Sequence, residues 1–253
     1  MALLEEFDEQ GNFLFRWRSY VPSVIIGLSI FYIKDSTYIN GEYFANLGLI
    51  VFFFLISLFG LFIRCVTIGY APEKTSGRNT KSQVAETVNQ TGIYSLVRHP
   101  LYIGNFFMFL GVVLILKSLS FTIIFILFYW MYYERIMFTE EQFLRNKFGS
   151  TYIEWSNRTP AILPRFKNYQ SPNLQFSFKN ILKREYPSLF GITIMFIFYD
   201  ILLIINNEPN RLQNGFSGLL YFHHLVIFII AFLFYIITRI IVKFTKLLHV
   251  EGR

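Results

Sequence analysis

Six apolar runs constrain what this chain can fold into more than any other feature. They are about Tyr20–Ile33, Tyr43–Ile63, Leu101–Leu116, Leu119–Tyr133, Leu189–Ile205 and Leu219–Val242. In hydrocarbon every backbone N–H and C=O must be satisfied within the protein, and a helix does this for each segment alone. A straight crossing needs roughly 20 apolar residues. The first, third and fourth runs fall short, and Trp17, Tyr20, Tyr102, Trp130 and Tyr132 extend them into the interface. Only Lys117 and Ser118 separate the third run from the fourth, which predicts a tight helical hairpin. The expected fold is therefore all-α: a polytopic integral membrane protein with about six membrane segments. Composition agrees, because 54% of the residues are hydrophobic and only 15% are charged, against about 25% charged in a soluble domain.

The expected organisation is one membrane domain over residues 1–253, with a core at 43–170 and a C-terminal membrane extension at 171–253. Cys65 is the sole cysteine, so neither an intrachain disulfide nor a cysteine metal site is available. The acidic start MALLEEFDEQGNF lacks the basic region and cleavage site of a signal peptide. A net charge of +7 raises nucleic acid as a partner. In a membrane chain, basic cytoplasmic loops and anionic lipid explain it better, so no nucleic acid is expected. Of the 23 Lys and Arg residues, only Lys34, Lys117 and Arg211 fall in the loops after runs one, three and five. The positive side stays cytoplasmic, which places both termini there.

Two polar clusters flank the hairpin on that same side. Thr91–Asn105 reads TGIYSLVRHPLYIGN, and Tyr133–Gly149 reads YERIMFTEEQFLRNKFG. A cation and an imidazole at a membrane boundary are costly unless they bind something. Arg98 can grip an oxyanion with its planar fork, and His99 can donate, accept or shuttle a proton. Glu140 and Glu141 are neighbours on a helix and point about 100° apart, which predicts two separate roles. Arg135 lies at the membrane end of that helix. The bland alternative for any one of these residues is an ordinary charged membrane edge. The helix is expected to end at Phe148-Gly149, with Gly149 as its cap. A short helix is expected near Lys81–Asn89, in the loop that follows the second run.

The pattern tGxYsxvRHPxYxGn, then an apolar hairpin, then RIxxxEExxLxxxFGxxYxxW and a Pro-rich exit resembles the isoprenylcysteine carboxyl methyltransferase family. That family stands with the membrane phospholipid methyltransferases, and the likeness runs from about Arg64 to Arg165. It implies a membrane-embedded S-adenosylmethionine-dependent methyltransferase without a Rossmann domain, and the chain has no GxGxxG fingerprint. Carried onto this sequence, the resemblance implies that His99, Tyr102, Gly104, Glu140 and Glu141 bind the cofactor. Gly104 would let the backbone approach closely. Arg98 and Arg135 would be the catalytic pair facing the acceptor anion.

The stretch EKTSGRNTKSQVAETVNQTG and the tail from Asn173 onward are similar to a bacterial subgroup linked to methylation of the lipid A phosphate. That resemblance implies an inner-membrane protein with a cytoplasmic active site. It makes Lys74, Arg78 and Lys81 substrate contacts, together with the Lys183-Arg184 pair. The function so implied is O-methylation of an acidic lipid head group. The alternatives within the class are a prenylcysteine carboxylate or a phospholipid amine. A non-enzymatic transporter is the rival from another class, but the charges gather on one face rather than along a path.

Asp200 near the outer end of the fifth run and His223-His224 near the start of the sixth should meet at similar depth. A polar clamp between helices is expected there, because two adjacent histidines on one helix face should not chelate a single ion. No metal is therefore expected.

Overall fold

The computed structural model describes residues 2–18, 20–72 and 83–252, and among them the chain is helical, with no strand. Helices α1 (Leu3–Trp17) and α2 (Val21–Ser29) precede α3 (Tyr43–Gly69). The hairpin follows as α4 (Pro100–Leu114) and α5 (Leu119–Phe148), and then α6 (Ser150–Arg158). The extension holds α7 (Phe178–Asn207), the single turn α8 (Gly215–Gly218) and α9 (Phe222–Phe244).

Among the described residues, four helices, α3, α5, α7 and α9, are long and apolar enough to cross a membrane. The other two apolar runs are shorter. The 15 residues of α4 rise only about 22 Å against a hydrocarbon core of about 30 Å. The first run forms the nine-residue α2 and then a 3₁₀ turn, Ile30–Asp35. The helical membrane fold stands, and the apolar segments are of unequal length.

Small residues set the central packing. A Cβ on Gly60 of α3 would lie 2.5 Å from the Met108 nitrogen of α4, and one on Gly104 would lie 2.8 Å from the Gly60 carbonyl oxygen. These two glycines let α3 and α4 run backbone against backbone. The hairpin turns at Lys117, whose φ is +53°. Its ammonium group reaches Asn46 Oδ1 at 2.7 Å. Ser118 caps α5 by accepting the Phe121 N–H. At the far end Gly149 has φ +52° and terminates α5 as its sequence predicts.

The chain beyond α6 folds back over the RHP motif. The Arg98 N–H donates to the Pro160 carbonyl, the Arg165 N–H to the Leu96 carbonyl and the Gly92 N–H to the Gln170 carbonyl. Trp155 Nε1–H donates to the Tyr94 carbonyl. These bonds fix a stretch that carries almost no regular structure of its own. Residues 83–89 form no helix. The helix expected near Lys81–Asn89 does not form there, and Lys81 itself lies outside the described residues. Its apolar residues Val84, Ala85 and Val88 line the cavity from an irregular stretch of chain instead, and so short a segment gains little from helix formation by itself.

Helix α7 packs on α3 on one side and on α9 on the other. Helix α9 leaves Phe222, Leu225, Ile230, Leu233 and Ile237 exposed, as a lipid-facing span requires. The clamp expected between these helices forms. His224 Nε2 is 2.7 Å from Asp200 Oδ2, and the Tyr43 hydroxyl donates to the same oxygen at 2.8 Å.

Candidate functional site

A cavity of about 820 Å³ opens at the polar ends of α3, α4, α5 and α7. Pro100 begins α4, which needs no N–H at that position. His99 and Tyr102 therefore project toward the facing turn of α5. His99 Nε2 lies 2.8 Å from Glu141 Oε1, and Nδ1 lies 3.8 Å from Glu140 Oε2. The Tyr102 hydroxyl donates to Glu140 Oε1 at 2.8 Å. The two glutamates do take different partners, as their angular separation predicts, and His99 stands between them.

Arg98 is held by the protein itself. Its Nε–H donates to Glu141 Oε1 at 2.8 Å. Its Nη1 donates to the Ser156 and Thr159 carbonyls, both at 2.8 Å. Three of its five donors thus join α5, α6 and the exit loop, although Arg98 still lines the cavity. The side chain orders the wall as much as it faces a ligand.

Two further site residues fall elsewhere than the motif implies. Arg135 does not line the cavity. Its guanidinium lies over the Phe7 ring of α1, 3.5 Å from the centroid. Its position on α5 turns it toward α1, and it is replaced at the cavity by Arg18, Arg64 and Arg184. Gly104 also lies outside the lining. A Cβ there would meet Arg64 Cγ at 2.6 Å, so its bareness serves the α3–α4 crossing. Lys74, Arg78 and Lys81 lie outside the described residues. Arg184 is on the cavity wall.

The structure adds residues that no motif flagged. Arg64, at the end of α3, donates through Nε and Nη2 to Glu185 at 2.9 and 2.7 Å, and through Nη1 to Asn105 Oδ1 at 2.7 Å. Glu185 belongs to α7, so the C-terminal extension supplies part of the wall. The only sequence signal for this pair is that both charges stand at the ends of apolar runs. Gln83 Nε2 and the Tyr152 hydroxyl also line the cavity, and both are buried without a hydrogen-bond partner. Burial and then the Glu141 charge push the Tyr152 phenol well above its usual range. Burial and then Glu140 push Tyr94 up to about 12. Both phenols therefore stay protonated and act as donors at neutral pH.

The fold and the cavity define a helical integral membrane protein with one charged chamber at the mouth of a hairpin. Residues 54–151 match the family described as phospholipid methyltransferase. It is 36% identical over 95 residues to the cobalt-zinc-cadmium resistance protein CzcN of Cupriavidus metallidurans, covering 38% of this chain and 41% of that protein. It is 36% identical over 73 residues to the protein-S-isoprenylcysteine O-methyltransferase of Schizosaccharomyces pombe, covering 29% and 31%. Against the nickel-cobalt-cadmium resistance protein NccN of Alcaligenes xylosoxydans the figures are 27% over 158 residues, 61% and 66%. The chain thus spans less than half the length of the first of these relatives and about a third of the second. No solved structure matches.

Proposed function

We propose that this protein is a membrane methyltransferase that uses S-adenosylmethionine and O-methylates an acidic lipid head group, such as the phosphate of lipid A. The observation that carries the reading is the composition of the cavity of about 820 Å³. Two glutamates and His99 stand in one wall, and Arg18, Arg64 and Arg184 in others.

The residues fit the cofactor. A chamber of about 820 Å³ falls within the range of roughly 300–1,000 Å³ typical of small-molecule sites. Glu140 and Glu141 suit an ammonium and a sulfonium. The buried Gln83 amide has no hydrogen-bond partner within the protein, as an unpaired group at a binding site would not. When bound, S-adenosylmethionine supplies a methyl group already activated by a positive sulfur. The chain's own residues then have three tasks. Tyr102 and His99 fix the orientation of the glutamates. The arginines offer charge to the acceptor oxyanion, and the packed helices keep water away. An ionised phosphate or carboxylate needs no general base, so no residue is assigned that role.

A second reading, a prenylated cysteine carboxylate as acceptor, is supported by the similarity to isoprenylcysteine O-methyltransferases. It would use the same cationic wall. Mass spectrometry distinguishes the two. Membranes from cells with and without the protein are supplied with isotopically labelled methionine, and lipid and prenyl-peptide fractions are compared. A labelled CH₂ increment on one anionic lipid class supports the first reading. Label confined to prenyl peptides supports the second, and label on neither refutes both.

A further inference from the structure

At the other end of α7, 15 residues from Glu185 and so about 22 Å along the helix, lies a second polar cluster outside the cavity. Asp200 is buried, and His224 is buried beside it. His224 Nε2 is 2.7 Å from Asp200 Oδ2, and His223 Nε2 is 4.0 Å from the same oxygen. The three ligand atoms all lie within 4.8 Å of one another. The adjacent histidines occupy the first turn of α9, and the Asp200 carboxylate approaches from α7 within reach of both Nε2 atoms. The expectation that neighbouring histidines must diverge from one ion does not hold here.

We propose that Asp200, His223 and His224 form a binding site for a divalent transition-metal ion of the Zn²⁺ type. Three observations converge on it. Two imidazoles and one carboxylate are a common zinc donor set that leaves a fourth position open. Ligands about 2.1 Å from a tetrahedral ion stand roughly 3.4 Å apart, and the two histidine–aspartate distances of 2.7 and 4.0 Å straddle that spacing. Asp200 Oδ1 is buried and has no hydrogen-bond partner. Among the described residues, no Lys or Arg forms an ion pair with Asp200. A simple clamp leaves this carboxylate short of a cation inside a membrane helix, where that is costly.

A neighbouring hydroxyl orders the ligands, and the site is accessible. The Tyr43 hydroxyl lies 2.8 Å from Asp200 Oδ2 and 3.0 Å from His223 Nε2. The His223 side chain is 32% exposed, which gives the ion a way in. Two contacts must change. The Tyr221 N–H donates to His224 Nδ1, and the Tyr43 hydroxyl, which donates to Asp200 Oδ2, accepts from His223 Nε2, so without metal both Nε2 atoms carry the proton. Loading moves each proton to Nδ1, frees both Nε2 atoms for the ion and opens the Tyr221 and Tyr43 contacts. No proton is gained or lost by either ring.

The test uses the full-length protein, purified in detergent, stripped with chelator and titrated with Zn²⁺ and separately with Co²⁺. The expected result is one ion per chain, visible absorption bands of low-coordinate Co²⁺, and a rise in Tm with Zn²⁺. His223→Gln keeps the His224–Asp200 bond, and it should weaken Zn²⁺ binding by more than about tenfold and abolish the Tm rise. Asp200→Asn should do the same if it folds. His249→Ala should bind as the wild type. Equal Zn²⁺ affinity in wild type and His223→Gln would overturn the proposal and leave a polar clamp. So would binding that is lost in His99→Ala instead, which would place the ion at the cavity.

Discussion

Glu185→Ala is the perturbation that most directly tests how the cavity is built. The Arg64 and Glu185 side chains are 14% and 3% exposed, so solvent screens their pairing little. The substitution removes two charge-assisted hydrogen bonds of 2.9 and 2.7 Å and leaves Arg64 with Asn105 as its remaining partner in that group. Hydrogen bonds to charged groups contribute about 1.5–3 kcal/mol each, and breaking a buried ion pair on one side costs about 3–5 kcal/mol. The two routes agree on a loss of about 3–5 kcal/mol. The assay is reversible unfolding in mixed micelles, followed for wild type, Glu185→Ala, Arg64→Met and the double variant. If the cost is an orphaned buried charge, the double variant should recover much of it. A loss below about 1 kcal/mol in Glu185→Ala, or strictly additive losses in the double variant, would refute the reasoning. The pair also joins α3 to α7, so Glu185→Ala should reduce S-adenosylmethionine affinity in calorimetry even where the protein remains folded.

Other outcomes follow from the same geometry. His99→Ala and Glu141→Ala should lose S-adenosylmethionine binding in calorimetry while helicity by circular dichroism is unchanged, since each breaks the 2.8 Å His99–Glu141 contact. Arg184→Gln should lower turnover on an anionic lipid about tenfold or more, whereas Arg135→Lys should retain near-normal turnover, because Arg135 sits over Phe7 and away from the cavity; the reverse order of effects would return Arg135 to the site. Gly60→Val should destabilise by at least about 1–3 kcal/mol in the same micelle titration, because its Cβ would meet α4 backbone at 2.5 Å. Reporters fused after Arg253 and within 206–218 should report opposite sides of the membrane, since α9 lies between them.

The apolar runs alone determined that this chain is helical and membrane-embedded, because hydrocarbon leaves the backbone no other economical way to satisfy its hydrogen bonds. The two motifs determined that His99, Tyr102, Glu140 and Glu141 share a site, since local helix geometry and a two-residue turn bring the hairpin ends together. Gly149 as the end of α5 was equally legible, because a positive φ is a local property. The rest depended on packing between distant segments. Whether α4 crosses the bilayer depends on where its helix stops, and that is set by the turn at Lys117. Which arginines face the cavity depends on how α1 and α7 lie against α5 and α3, so Arg135 turned away while Arg64 and Glu185 entered from opposite ends of the chain. The convergence of His223 and His224 on Asp200 was likewise invisible in a linear spacing rule. It arises because a third residue on another helix comes within reach of both Nε2 atoms, and only the tertiary contact of α7 with α9 places it there.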